Sequence, residues 1–241
     1  MVAAFVAGLE PAVSSVRLKS YHPPGGTELE MLVNYLWNLE LSEAIYPSLH
    51  AAEVSLRNSI HAAASAHYRT EFWFDQPDVL LPRQQHSVEA ARQKVISDNN
   101  PLTAGRIVAR LHFGFWTSLF NDPYERQMPS KPADRLYWHD QNNRPALLLV
   151  AFPHLARQYR SRAKVFGYFD NLRELRNRVA HHEPIWARPY LDREHRQLLH
   201  AIGWVSPQMR EAIALCDRFS NVHRHGKVRI EAAIRAHLGT Q

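Results

Sequence analysis

Residues 173 to 186 read RELRNRVAHHEPIW and gather in fourteen positions the side chains best suited to phosphate chemistry. Arg173, Asn177 and His181 follow one another at intervals of four, which places them on one face of an α-helix. Arg176 lies beside Asn177, and His182 and Glu183 follow the histidine. An imidazole that titrates near neutral pH can take the proton from a 2′-hydroxyl, while a guanidinium stabilises charge on the phosphate under attack. That combination suits cleavage of RNA without a metal, since DNA has no 2′-hydroxyl. The expected products are a 2′,3′-cyclic phosphate and a free 5′-hydroxyl, with Asn177 orienting the imidazole or the substrate by hydrogen bonds.

The helix that carries these groups must bury its other side. Phe169, Leu172, Leu175 and Val179 supply that apolar face. Pro184 disfavours the α conformation just before it, so the helix is expected to end near His182 or Glu183, with His181 in its last turn. The two histidines also suit a purely structural role there, because a cation in the last turn complements the helix dipole by roughly 0.3 to 1 kcal/mol. Residues five apart lie about 140° around a helix axis, so Arg176 and His181 of one chain do not point at one atom. Two copies across a twofold axis can supply what one lacks.

The string LRNRVAHHEPIW resembles the signature of the Abi-like (abortive-infection) proteins, a branch of the HEPN superfamily, with R-x-x-x-x-H and a polar residue after the arginine. YLWNLELSEAIYPSLHAAEVSLRNSI resembles the family's amino-terminal region and FGFWTSLF its middle segment, so the likeness spans roughly residues 28 to 190. It implies a helical bundle, usually a homodimer whose motifs face a shared groove, and in many members a metal-independent endoribonuclease acting as a toxin or in phage defence. By residue it implies catalytic roles for Arg176 and His181, a supporting role for Asn177, and flanking roles for His182 and Glu183. Some superfamily members only bind RNA or partner proteins, so a non-catalytic RNA-binding or regulatory module is the alternative. RNA, a second copy of the chain and a cognate antitoxin are the partners expected, and no cofactor is.

Glu53, Arg57 and Asn58 can line the same groove from a facing helix. Glu53, Arg57 and His61 can equally form a charged ladder worth roughly 0.2 to 1 kcal/mol per exposed pair. Metal ligation is not expected: His181 and His182 diverge by about 100° on a helix, and neither His61 with His67 nor His195 with His200 has the four-residue interval of a zinc helix. RQYRSRAK, residues 157 to 164, is the strongest basic patch and can either track a phosphate backbone or form a solvated helix face.

Composition sets the frame for these elements. The 241 residues include 45% apolar and 10% aromatic side chains, enough for a substantial core. A single cysteine excludes an internal disulfide framework and a cysteine zinc cage, and fits a reducing cytoplasm. The net charge is +6, with 24 arginines to 5 lysines, which favours a phosphate-bearing partner. The run ALLLVAF is far short of the roughly 18 residues of a membrane span, so no membrane partner is expected.

Residues 1 to 26 end in YHPPGG and read as a tail or short helix with a Pro/Gly linker, leaving 27 to 241 as a single domain. From Glu28 the spacing is helical, with Leu49, Ala52, Leu56, Ile60 and Ala63 forming one face after a break at Pro47. Further helices are expected in QHSVEAARQKVIS, from Pro101 into HFGFWTSLF, and in two segments between Arg144 and His182. Asn121 to Arg144, with three prolines, reads as a long surface loop or irregular insertion. No segment alternates with period two, so the expected class is all-α: a HEPN-type helical bundle with additional helices and a long irregular insertion.

Overall fold

The computed structural model describes residues 1 to 239, and every regular element among them is helical. The one β-type pairing there is an isolated bridge between Arg126 and His139. The all-α class follows.

The chain begins with α1 (Val2–Val13) and the short α2 (Ser15–Lys19). Ser14 ends the first at φ 70° and caps the second, its hydroxyl accepting from the Arg17 amide at 3.3 Å. The long α3 (Glu28–Tyr68) opens with a reciprocal cap. Thr27 Oγ1 accepts from the Glu30 amide at 3.2 Å, and the Glu30 carboxylate accepts from the Thr27 amide at 2.7 Å. That backbone donor holds the Glu30 carboxyl below the usual carboxylate range.

Instead of breaking at Pro47, α3 runs through it. Proline deletes one backbone bond, and buried side chains on both sides, Ala44 and Ile45 before it and Ser48 and Leu49 after it, hold the helix together across the gap. The stripe Leu49, Ala52, Leu56, Ile60 and Ala63 is buried as its spacing predicts.

α4 (Pro82–Ser97) takes a proline at its first position. The next helix, α5 (Ala104–Arg110), does not start at Pro101, because the Thr103 hydroxyl caps it by accepting from the Arg106 amide at 3.3 Å. Nor does it run on into the aromatic segment. His112 leaves the helical conformation and caps α6 (Phe113–Ser118) through its ring. Asn121 to Arg144 is irregular apart from a short 3-10 turn, but it is not a superficial loop: Tyr124, Leu136 and Trp138 are fully buried. The Trp138 indole donates to the Leu119 carbonyl at 2.6 Å and its ring stacks on Phe120 at 4.4 Å. α7 (Ala146–Ala151) stops before Pro153, and α8 (Arg162–Ala180), α9 (Leu191–Val205), α10 (Pro207–Ala214) and α11 (Phe219–Leu238) complete the order.

The chain divides into two compact units, each built from segments distant in sequence. One contains Met1–Leu49, Glu174–Arg196 and the chain from Ile213 onward; the other contains His50–Arg173 and Gln197–Ala212. In the first, Leu18, Tyr21, Leu32, Leu41, Ile185 and Phe219 form the core, so residues 1 to 26 contribute buried side chains to it. In the second, Phe120, Trp138, Phe152 and Phe169 pack ring against ring.

Candidate active site

Helix α8 carries the motif, and its last turns lie in the first unit. Leu172 and Leu175 are fully buried, while Val179 is only half-buried, so the packed face fades toward the helix end. Arg176 and Asn177 are half-buried; His181, His182 and Glu183 are exposed. The regular helix ends at Ala180, two residues short of the end expected near His182. His181 still donates its amide to the Asn177 carbonyl at 2.9 Å, which makes it the cap residue.

The backbone then reverses sharply. The His182 amide bonds the Val179 carbonyl at 3.1 Å and the Glu183 amide bonds the Arg178 carbonyl at 2.7 Å, the paired pattern of a Schellman motif. Such a motif needs a left-handed residue, and His182 takes it at φ 58° where glycine is the usual occupant. Pro184 follows at the place where a helix cannot continue. Arg178 and Glu183 add an ion pair at 3.5 Å across the turn, half-exposed and therefore weak.

Two side chains distant in sequence, Arg17 and Asn38, hold the backbone of this turn, and the motif pattern marked neither. Arg17 of α2 donates from its guanidinium to the His182 carbonyl. Asn38 of α3, almost wholly buried, accepts at Oδ1 from the Ile185 amide at 2.7 Å and from the Trp186 amide at 3.1 Å. Its Nδ2 donates to the Tyr21 hydroxyl at 3.4 Å. Burial raises the Tyr21 phenol above its ordinary range, against the opposing pull of the Arg17 charge beside it. The Trp186 indole donates to the Ser20 carbonyl at 3.4 Å, and the Lys227 ammonium of α11 lies over both the Trp186 and the Trp37 rings. A sequence signal for Asn38 did exist. Met31, Asn34, Asn38, Leu41 and Ile45 share one buried face, and two amides inside an apolar stripe require partners.

The remaining candidates, His195 apart, belong to the second unit. Arg173 lies on α8 but is engaged by Asp170, to which its Nε donates at 2.8 Å. Glu53 and Arg57 are half-buried and Asn58 is exposed, all on α3. His61 is not a cationic rung of their ladder: its Nδ1 accepts from the Trp73 indole at 3.0 Å, and burial pushes its pKa down. Of the four cations in the basic run at 157 to 164, Arg162 is buried while Arg157, Arg160 and Lys164 are exposed. Arg162 donates to the Phe120 carbonyl at 2.7 Å and pairs with Asp122 at 2.6 Å, and Lys164 donates to the Gln158 carbonyl at 2.7 Å. His195 is a core residue of the first unit, buried against Phe219 and paired with Asp217 at 2.8 Å.

Among the described residues no cluster of three or more His, Cys, Asp or Glu side chains is arranged to hold a metal ion. No helix among them is long and apolar enough to cross a membrane. Comparison with family models, curated proteins and solved structures finds no match to this chain.

Proposed function

We propose that this chain is an Abi-like protein of the HEPN class and cuts RNA as a metal-independent endonuclease. The observation that carries the proposal is the end of α8: an exposed histidine at the cap, an arginine and an asparagine in the turn before it, and a backbone reversal tied to the core directly after it. Catalytic groups of this kind need freedom to meet a polymer and rigidity in the backbone that presents them.

In the proposed reaction His181 takes the proton of a ribose 2′-hydroxyl. The freed oxygen attacks the adjacent phosphorus, the bond from phosphorus to the 5′-oxygen breaks, and the departing oxygen takes a proton from an imidazolium. Arg176 offsets the charge that builds on the non-bridging oxygens, and Asn177 holds the imidazole or the ribose. Because Arg176 and His181 diverge by about 140° on one helix, the working site combines the arginine of one copy with the histidine of the other in a homodimer. The arginine-rich composition, 24 of 29 cations, supports a phosphate-bearing substrate. A toxin or phage-defence role with a cognate antitoxin is the biological setting that the resemblance supplies.

The test is incubation of the purified chain with total RNA in the presence of a chelator. The proposal predicts cutting that persists under chelation and falls at least about a hundredfold in Arg176→Ala and in His181→Ala. Binding without cutting favours the regulatory module instead, and cutting unchanged in both variants removes these residues from the chemistry.

A further inference from the structure

The resemblance that suggests the catalytic groups begins at about residue 28, yet one of the anchors of the motif turn lies eleven residues earlier. Arg17 reaches across 165 positions of sequence to the His182 carbonyl. That carbonyl belongs to the left-handed residue of the turn, the one whose backbone is least stable in its conformation. A charged donor on this oxygen fixes the peptide plane between His182 and Glu183, and so fixes the direction in which the preceding residue leaves the helix.

Arg17 does not act alone. It sits beside the Tyr21 hydroxyl, which accepts from Asn38, and Asn38 holds the amides of Ile185 and Trp186. A continuous polar chain thus runs from α2 through Tyr21 and Asn38 and meets both sides of Pro184. The far end of α2 is set by its own cap: Ser14 holds the Arg17 amide, and Leu18 is buried in the core. The guanidinium is therefore presented from a fixed base and is not a loose surface side chain.

We propose that Arg17 is a positioning residue for His181, and that residues 1 to 26 are a working part of the active site, a strap that holds the motif turn in its reactive conformation. The proposal rests on the nuclease reading only for its activity measurement. With the turn held, His181 has only its side-chain torsions left to settle, and the backbone no longer wanders between the left-handed and extended conformations available to residue 182. A strap of this kind raises the rate of the chemical step. It contributes little to RNA affinity, whereas an arginine that served only as a phosphate contact shows up in KM and in salt dependence.

The experiment compares Arg17→Ala, Arg17→Lys and the control Lys19→Ala in the full chain. Lys19 is an exposed cation on the same helix. Two quantities are read: kcat and KM on RNA, and backbone amide exchange at Glu183 and Ile185. The proposal expects Arg17→Ala to lower kcat about tenfold with KM unchanged and to speed exchange at both amides about tenfold. Arg17→Lys, whose ammonium can donate to the same carbonyl, restores most of both, and Lys19→Ala leaves both at the parent values. Unchanged exchange in Arg17→Ala overturns the tether. Faster exchange with an unchanged kcat, or a loss carried by KM alone, overturns the positioning role. If the parent chain cuts no RNA, the nuclease reading fails by itself and the exchange comparison still decides the strap.

Discussion

Asn38→Ala is the perturbation whose size the structure fixes best. The side chain is 2% exposed, and its single carbonyl oxygen serves two backbone amides that have no other acceptor in the turn. Truncation leaves the Ile185 amide, on a residue that is 0% exposed, without a partner. An orphaned buried donor of this type costs about 1 to 3 kcal/mol. The Trp186 amide belongs to a half-buried residue that water can reach, so its loss costs less, and the 3.4 Å contact from Nδ2 to Tyr21 is a weak bond. The expected total is about 3 kcal/mol. For a chain of this length that corresponds to a fall in Tm of about 6 to 12 °C. Urea unfolding followed by tryptophan fluorescence should give a lower midpoint with an unchanged slope. Arg17→Ala, which removes a half-exposed charged donor, should cost about 1.4 kcal/mol in the same assay, the equivalent of the tenfold change in exchange. A loss below about 1 kcal/mol for Asn38→Ala, or a larger loss for Arg17→Ala than for Asn38→Ala, refutes the reasoning.

Three further outcomes follow from particular residues. His182→Gly removes the Cβ from a left-handed position and should leave stability within about 0.5 kcal/mol of the parent or raise it by up to about 1, measured by the urea midpoint; a loss above about 1 kcal/mol contradicts the backbone assignment. Burial holds His195 below the ordinary imidazole pKa of 6.5, with His61 shifted the same way. The unfolded chain then binds more protons than the folded one below that value, so stability should be fully present above about pH 6.5 and decline as pH falls, with a shallower decline in His195→Asn. A flat profile from pH 5 to 7.5 contradicts it. Mixing Arg176→Ala with His181→Ala and refolding together should restore about a quarter of parental RNA cleavage, since heterodimers form half the pool and each rebuilds one of two sites; no recovery above the separate variants contradicts a site shared between copies.

What the amino-acid sequence revealed depended on how local the cause was. The stripe from Leu49 to Ala63 and the face of Leu172 and Leu175 were readable because period 3.6 is written into consecutive residues. Pro47 misled because a proline's local penalty is visible in sequence, while the packing on both sides that outweighs it is not. The segment from Asn121 to Arg144 read as surface by its polar and proline content, yet a few apolar anchors, Tyr124, Leu136 and Trp138, pin it inside. Within the site, the arginine, asparagine and histidine could be picked out by type and spacing. Their supports could not, because Arg17 and Asn38 gain their meaning from backbone groups 165 and 147 positions away. The left-handed His182 was hidden for a different reason: Pro184 announces the stop, but the usual glycine mark of a Schellman turn is missing.

The central claim is that a 2′-hydroxyl is the nucleophile and His181 its base, and a single oligonucleotide tests it. Once a cut site has been mapped on RNA, the same strand is made with a 2′-deoxyribose at that one position and incubated with the chain and a chelator. The account predicts that the all-ribose strand is cut to a 2′,3′-cyclic phosphate and a 5′-hydroxyl while the substituted position stays intact. Cutting at the deoxy position, or ends that carry a 5′-phosphate, contradicts it.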